Sequence, residues 1–141
     1  MVRAVLDCNV YVSALIRAEG PPGRILFHLL EKQAFDLVAS PAIMEELKRC
    51  LKYRKVRKYV RLSDVELDLW FGSIELIALM VDGKGPVDSR LTDQDDQIYL
   101  DAAYNGKAVY VVSGDSHLIQ LKRYEGVEIV TPAQFLKKII R

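Results

Sequence analysis

Short apolar runs alternate along this chain with segments of helical periodicity, and this alternation restricts the possible folds more than any other feature. Residues 2–6 and 108–112 are mostly apolar, and residues 35–39 and 128–130 form two further runs. Runs of this kind are typical of strands buried on both faces of a parallel sheet. Because helical segments connect them, the crossovers should be right-handed and helices should cover both faces. The sequence therefore predicts a three-layer α/β/α fold with a central, mainly parallel sheet.

The helical segments follow from periodicity and from capping residues. Ser40, followed by Pro41, opens a helix that ends near residue 51. Ser63 and Glu66 form a capping box for a helix whose apolar residues include Trp70, Phe71, Ile74 and Ile77. These should pack mainly in the core, and the alternative is a surface that binds a second protein chain. Further helices are predicted at residues 8–18, 25–32, 95–105 and from 132 onward, with the glycine and proline residues of 20–23 as an interruption. Residues 77–81 fit either a helix end or a strand.

The composition is that of one globular domain, residues 1–141, with 50% hydrophobic and 28% charged residues. A net charge of +1 excludes a strong overall field, so attraction of a nucleic acid would need a local patch. Cys8 and Cys50 are too few for a disulfide framework and lack metal-binding spacing. We expect a cytoplasmic protein without membrane contact, because no signal segment opens the chain and the longest apolar run, 76–81, is too short to span a bilayer.

Two predicted strands end near an aspartate. Asp7 follows the first strand directly, and Asp115 comes three residues after the strand that ends at Val112. The carboxyl ends of parallel strands meet at one edge of a sheet, where ligands bind. An aspartate in this position can also be a plain helix cap, but two at the same edge favour a functional site.

Glu46 is a third candidate because of its helical phase. On the helix that begins at Pro41, Ile43 and Leu47 mark the buried stripe, and Glu46 lies on its flank while Glu45 points away. A carboxylate that leans toward a core needs a positive partner. That partner is either a bound cation or a neighbouring basic side chain.

Asp96 is the fourth candidate, from a segment rich in aspartate. Residues 82–101 hold six aspartates against only Lys84 and Arg90. Asp93 or Asp95 can cap the helix that follows, whereas Asp96 falls in its first turn and points back toward the strand edge. Clustered carboxylates raise one another's pKa, and an all-oxygen site favours Mg²⁺ or Mn²⁺ over Zn²⁺. Such an ion lowers the pKa of bound water and stabilises charge on a phosphoryl oxygen, which suits phosphodiester hydrolysis.

Four segments in order resemble the motifs of the PIN-domain nucleases, and most closely the VapC-like branch of toxin components of toxin–antitoxin pairs. They are LDCNV (6–10), SPAIMEEL (40–47), DQDD (93–96) and VSGD (112–115). The resemblance extends through nearly the whole chain. It departs from that branch at His117, where relatives often carry another aspartate.

The resemblance implies roles for individual residues. The catalytic acids and metal ligands would be Asp7, Glu46, Asp96 and Asp115, with Asp93 as a further candidate ligand and with Asn9 and Ser113 in support. It also implies a PIN fold, dependence on Mg²⁺ or Mn²⁺, cleavage of RNA, a homodimer, and an antitoxin that blocks the site.

A basic segment follows the second motif and is a candidate RNA-binding region. Residues 48–62 contain eight basic residues and no acidic ones, and Tyr53 and Tyr59 lie among them. The candidate RNA contacts are Lys52, Arg54, Lys55, Arg57 and Lys58. Phosphate contacts and base stacking by such residues would bind single strands with little sequence preference. The alternative is a solvated helix face with both tyrosines packed on the core.

Two other functions compete with a ribonuclease. A phosphatase of the haloacid-dehalogenase type also places an aspartate after its first strand, but it requires a second aspartate where this chain has Asn9. A PIN-like domain without catalysis, serving to bind RNA or protein, is the second alternative. The presence of all four acids argues against it.

Overall fold

A computed structural model describes residues 1–140 of the chain. Its strands are β1 (Arg3–Leu6), β2 (Asp36–Ala39), β3 (Leu79–Met80), β4 (Tyr110–Val112), β5 (Arg123–Tyr124) and β6 (Val127–Val130). Its α-helices are α1 (Cys8–Ile16), α2 (Pro21–Lys32), α3 (Pro41–Lys52), α4 (Arg54–Arg57), α5 (Asp64–Ile77), α6 (Gln97–Gly106), α7 (Ser116–Ile119) and α8 (Pro132–Ile139), and a 3₁₀ turn (Gln94–Asp96) precedes α6. Within residues 1–140, no helix combines the length and the apolar character needed to cross a membrane.

The strands form one sheet in the order β3-β2-β1-β4-β6-β5. Every neighbouring pair is parallel except β5 and β6, which are antiparallel. β1 lies in the middle, with β2 on one side and β4 on the other. The predicted three-layer α/β/α fold with a mainly parallel sheet is confirmed. The strand order reverses at β1, because β2 lies on one side of it and β4 on the other. A ligand-binding crevice is therefore expected beyond the carboxyl ends of β1 and β4.

The core consists of side chains from every strand except β3, whose two side chains are exposed, and of one face of each covering helix. α1, α2 and α8 pack in succession, and α6 packs over β1, β2 and β4. Phe35 and Phe135 meet edge to face with ring centroids 4.9 Å apart, which joins the start of β2 to α8. Gly106, the last residue of α6, lies so close to β2 that a Cβ atom there would stand 2.5 Å from Val38 Cγ1. This close approach needs glycine.

The structure differs from the sequence prediction at α2, β3 and β5, and it adds the short helices α4 and α7. α2 begins at Pro21 rather than at Ile25, because Pro21 and Pro22 occupy the first helical positions, where a missing N–H costs nothing. The ambiguous stretch after α5 contains the short edge strand β3, and Ile77 is 45% exposed instead of belonging to the core. β5 was not predicted because a two-residue strand has no detectable period.

The long loop between β3 and the 3₁₀ turn is held at two points. Oδ1 of the buried Asp101 accepts hydrogen bonds from Gly85 N at 2.9 Å and from Gln97 Nε2 at 3.0 Å. The Arg90 guanidinium donates to the carbonyl oxygens of Leu121 and Arg123, at 3.1 and 2.7 Å. These contacts fix the segment that leads into Asp93 and Asp96.

Candidate active site

A cleft of about 220 Å³ lies at the carboxyl edge of the sheet, beside the ends of β1 and β4. It is lined by Asp7, Cys8, Asn9, Glu46, Cys50, Asp93, Asp95, Asp96, Tyr99 and Asp115. The fold thus brings all four candidate acids, together with Asp93 and Asn9, to one place. Ser113 is buried beneath it and contacts two of the acids.

Asp7 is buried, with 3% of its surface exposed, and also caps α1. Its Oδ1 accepts hydrogen bonds from Asn9 N at 2.7 Å and from Val10 N at 3.3 Å, and its Oδ2 accepts one from the Ser113 hydroxyl. Burial raises the pKa of Asp7, although these three hydrogen bonds oppose the rise. A buried carboxylate with a raised pKa gains from a nearby positive charge.

Ser113 joins Asp7 to Asp115. The hydroxyl donates to Asp7 Oδ2, and its oxygen accepts from Asp115 N at 2.9 Å. Asp115 in turn caps α7, accepting from His117 N at 2.9 Å. The hydroxyl thus contacts the carboxylate of Asp7 and the backbone of Asp115.

Asp96 lies at the start of α6 but does not cap it. Its Oδ2 is buried without a hydrogen-bond partner. Burial raises the pKa of Asp96 to about 6, and the charges of Asp115, Asp93 and Asp7 add to the rise. A coulombic contribution from His117 opposes this rise without cancelling it.

Asp93 and Asp95 extend the acidic lining of the cleft. Asp93 caps the 3₁₀ turn, with Oδ1 accepting from Asp95 N at 3.0 Å. Asp95 is exposed and was predicted only as a possible cap. The cap is Asp93, so its carboxylate has a structural role beside any part in binding metal.

Glu46 reaches the cleft from α3, as its helical phase predicted, while Glu45 is exposed. Its Oε2 is paired with the Arg49 guanidinium, and its Oε1 accepts a hydrogen bond from Cys50 Sγ at 3.5 Å. Of the two alternatives for the partner of Glu46, the structure shows the basic side chain, Arg49, and Glu46 also lines the cleft.

The chemistry of the cleft fits a hard divalent cation, but its side chains do not yet form a coordination sphere. Across residues 1–140, no three His, Cys, Asp or Glu side chains are arranged to hold a metal ion. Asp7 and Asp115 face their capping partners, and Glu46 faces Arg49. The fit rests on the oxygen-rich lining and on the unpartnered Oδ2 of Asp96, which are the donors that Mg²⁺ and Mn²⁺ prefer.

Tyr99 in the cleft lining and His117 outside it had no functional role assigned from the sequence. The Tyr99 hydroxyl accepts a hydrogen bond from Cys8 N at 3.2 Å, which ties the first turn of α1 to α6. Tyr99 follows Asp96 by three residues and so shares its helix face, the one signal that could have indicated this contact. His117 is exposed, and its Nδ1 lies 3.1 Å from the Thr92 hydroxyl, outside the cleft lining.

The basic segment is exposed for most of its length. Tyr53 and Tyr59 are 58% and 56% exposed, so the alternative in which they pack on the core is wrong. Lys52, Arg54, Lys55 and Lys58 are exposed as well. Arg57 differs, because its guanidinium donates to Val60 O and Leu62 O and pairs with Asp64. It holds the turn between α4 and α5.

Comparison with known proteins identifies the family. A PIN-domain family model matches residues 3–117, a span that includes all four candidate acids, and the chain belongs to the PIN-domain family. It is 30% identical over 148 residues to the uncharacterised protein MJ1680 of Methanocaldococcus jannaschii, covering 97% of this chain and 91% of that protein. PIN domains are generally nucleases that use divalent metals, which supports the nuclease class here.

A solved structure shares the fold. It is VapBC2 from Rickettsia felis, bound to a DNA fragment from its promoter. The likeness has a TM-score of 0.57 at 16% sequence identity and covers 92% of this chain and 98% of that one.

Proposed function

We propose that this chain is a Mg²⁺- or Mn²⁺-dependent endoribonuclease, with its activity in a single domain of residues 1–141. The observation that carries the proposal is the convergence of Asp7, Glu46, Asp96 and Asp115 on one cleft, with the buried Oδ2 of Asp96 unpartnered. A cleft that gathers this many carboxylates, of which only Glu46 is paired with a basic side chain among residues 1–140, is unfavourable unless a cation binds there.

Asp96 and Glu46 would bind the cation directly, with Asp7, Asp115 and Asp93 completing the set. When bound, the ion supplies a Lewis acid and lowers the pKa of water. Side chains of the protein would orient the acids and contact the substrate. Ser113 fixes the orientation of Asp7 and Asp115, and Tyr99 holds α1 against α6 so that the acids keep their spacing. Asn9 lies on the cleft wall, where its amide can contact a substrate phosphate.

RNA would approach over the exposed basic segment. Lys52, Arg54, Lys55 and Lys58 offer charges to phosphates, and Tyr53 and Tyr59 offer exposed rings for stacking. Arg57, the fifth residue in that set, would act mainly by holding the turn on which its neighbours stand.

We further propose a toxin role in a toxin–antitoxin pair, in the cytoplasm, with an antitoxin that covers the cleft. The shared fold with VapBC2 supports this role, and the two free cysteines suit a reducing compartment. A homodimer has a suitable surface in the α5–β3 face, which consists of Val65, Leu69 and Leu76 on α5 and Leu79 and Met80 on the edge strand β3. The three α5 residues share one side of the helix, and all five side chains are exposed.

RNA cleavage with Mg²⁺ or Mn²⁺ tests the proposal directly. The wild type should cut RNA, Asp7→Asn and Asp96→Asn should lose almost all activity, and EDTA should abolish it. Asp68→Asn is a matched control, because it removes an exposed carboxylate of α5 that lies outside the cleft. Activity that survives in EDTA, or in both cleft variants, would overturn the metal mechanism.

The second candidate is a PIN-like domain that binds RNA or protein without cutting. The pairing of Glu46 with Arg49 favours it, since this contact occupies a candidate metal ligand. The same assay separates the two functions: RNA binding by a folded wild type that shows no cleavage with either metal would support the binding domain.

A further inference from the structure

One side of α3 connects the carboxylate cleft with the basic segment. Glu46 and Arg49 are three residues apart and share a face of α3, and Tyr53, four residues after Arg49, is the residue that caps the end of this helix. At 1.5 Å per residue they cover about 10 Å along the helix axis. A strand that leaves the cleft at Glu46 therefore meets Arg49 and then Tyr53 before it reaches the lysines.

Arg49 stands at the boundary between two clefts. The second cleft, of about 460 Å³, is lined by Ala42, Glu45, Arg49, Gln94 and Ile98 and shares Glu46 and Asp95 with the first. Of the residues that line either cleft in the described part of the chain, Arg49 is the sole basic one. A phosphate next to the carboxylates needs a cation, and here that cation can come from Arg49.

Arg49 can exchange the Glu46 carboxylate for another acceptor. The Arg49 side chain is 63% exposed, and an ion pair as open to water as this one is weak. A divalent cation on Glu46 would release the guanidinium, which can then turn to a phosphate in the second cleft. Glu45 and Asp95 are the competing acceptors on that side.

Tyr53 supplies the second half of the site. Its ring is 58% exposed at the end of α3, one helical turn beyond Arg49. An exposed ring beside a guanidinium can stack a base whose phosphate the guanidinium binds.

We propose that Arg49 and Tyr53 form a nucleotide-binding subsite next to the cleft. Arg49 binds a phosphate of the RNA strand, and Tyr53 stacks the adjoining base. Glu46 remains paired with Arg49 until a cation binds Glu46 and releases the guanidinium. This inference rests on the proposed ribonuclease function and deepens it. It names the first contacts of the strand outside the metal site and couples metal loading to RNA binding.

Binding of a short fluorescein-labelled oligouridine, measured by anisotropy in EDTA over a range of salt concentrations, tests the subsite without cleavage. Arg49→Ala should change affinity little in the wild-type background, because Glu46 occupies the guanidinium there. In the Glu46→Gln background the same change should weaken binding and reduce the log–log salt slope by about 1. Arg24→Ala, an exposed arginine of α2 outside both clefts, is the control. An equal effect of Arg49→Ala in both backgrounds, or none in either, would overturn the exchange.

Tyr53 has its own arm of the experiment. Tyr53→Ala should weaken binding about fivefold or more, and Tyr53→Phe should keep the affinity, because stacking needs the ring and not the hydroxyl. Tyr104→Ala is the control, because Tyr104 is 48% exposed on α6 and lies outside both clefts and the basic segment. A loss no greater for Tyr53→Ala than for Tyr104→Ala would remove Tyr53 from the subsite.

The outcome is independent of the cleavage assay. Cleavage by the wild type, with oligouridine binding unaffected by any Arg49 or Tyr53 variant, would overturn the subsite and leave the ribonuclease standing. Binding as expected without cleavage would do the reverse.

Discussion

The Ser113 hydroxyl donates a hydrogen bond to Oδ2 of Asp7, and so joins the ends of the two central strands, β1 and β4, at the floor of the carboxylate cleft. Both side chains are buried. The hydrogen bond favours the charged form of Asp7 and opposes the effect of burial on its pKa. Removing the hydroxyl therefore has a result that depends on pH.

Ser113→Ala should lower the free energy of unfolding by about 1–3 kcal/mol, with the larger loss at neutral pH. Without the hydroxyl the pKa of Asp7 rises further, and the penalty shrinks in acid, where Asp7 carries a proton. Urea denaturation at about pH 7.5 and about pH 4.5 measures this difference. Ser40→Ala is the matched control, since Ser40 also follows a strand but caps α3 through Ile43 N at 3.2 Å. A loss from Ser113→Ala as independent of pH as the control's would contradict the role of the hydroxyl.

Asp96→Asn should stabilise the metal-free protein at neutral pH. The pKa of Asp96 is about 6 in the fold against an ordinary value of 3.8, so the folded state binds this proton more tightly than the unfolded chain. The destabilising effect of Asp96 is thus absent below pH 3.8 and grows as pH rises through about 6. We expect a gain of about 1–2 kcal/mol near neutral pH, discounted for partial exposure, and almost none near pH 4. Thermal melting in EDTA at both pH values checks it, with Asp68→Asn as the control that should gain nothing. A destabilised Asp96→Asn would contradict the prediction.

Mn²⁺ or Mg²⁺ should raise the melting temperature of the wild type. A ligand at 100 times its Kd stabilises a fold by about 2.7 kcal/mol, or several degrees for a chain of this size. Asp96→Asn and Glu46→Gln should lose most of the shift, since both candidate ligands line the cleft. Differential scanning fluorimetry with and without metal measures it. A full shift in Asp96→Asn would place the cation elsewhere.

Charge reversal at Lys55 and Lys58 should weaken RNA binding and flatten its dependence on salt. Both side chains are exposed within the basic segment. Loss of two phosphate contacts should reduce the log–log slope by about 1–2. The pair Lys32→Glu and Lys137→Glu changes net charge equally from exposed positions on α2 and α8, and should leave the slope near that of the wild type. An unchanged slope in Lys55→Glu/Lys58→Glu would exclude the segment.

Leu76→Glu should convert a dimer into a monomer if the α5–β3 face is the dimer surface. Leu76 is 85% exposed, so its replacement removes no core contact and should change thermal stability little beyond the loss of the dimer. Sedimentation velocity measures the oligomeric state. Val87→Glu, at a 74% exposed loop position, is the matched control. A dimer that persists in Leu76→Glu would assign dimerisation to another surface.

Much of this fold could be predicted because its main elements carry strong local signals. The apolar runs indicated β1, β2, β4 and β6, and the cap at Ser40 with the phase of Glu46 placed α3 and its acid. β3 and β5 have two residues each and depend on the sheet beside them, which no local period reveals. From sequence alone, Pro21 could be predicted either to interrupt a helix or to begin one, because tertiary packing decides between the two.

The candidate site could be predicted in membership but not in geometry. Strand ends and helix phase bring Asp7, Glu46, Asp96 and Asp115 to one edge. The pairing of Glu46 with Arg49 and the bond from Cys8 N to Tyr99 depend on rotamers and on contacts between distant segments. Sequence spacing does not determine these.

Three of the cleft acids also have a structural role, which would remain if catalysis were lost. Asp7, Asp93 and Asp115 each cap a helix or turn, so selection for folding alone would preserve them in a lineage that had stopped cutting RNA. Asp96 makes no such cap, and its burial costs stability. If descendants of this chain lost catalysis, Asp96 would therefore be the first of these acids to be replaced. Asp7, Asp93 and Asp115 would be retained for their structural role.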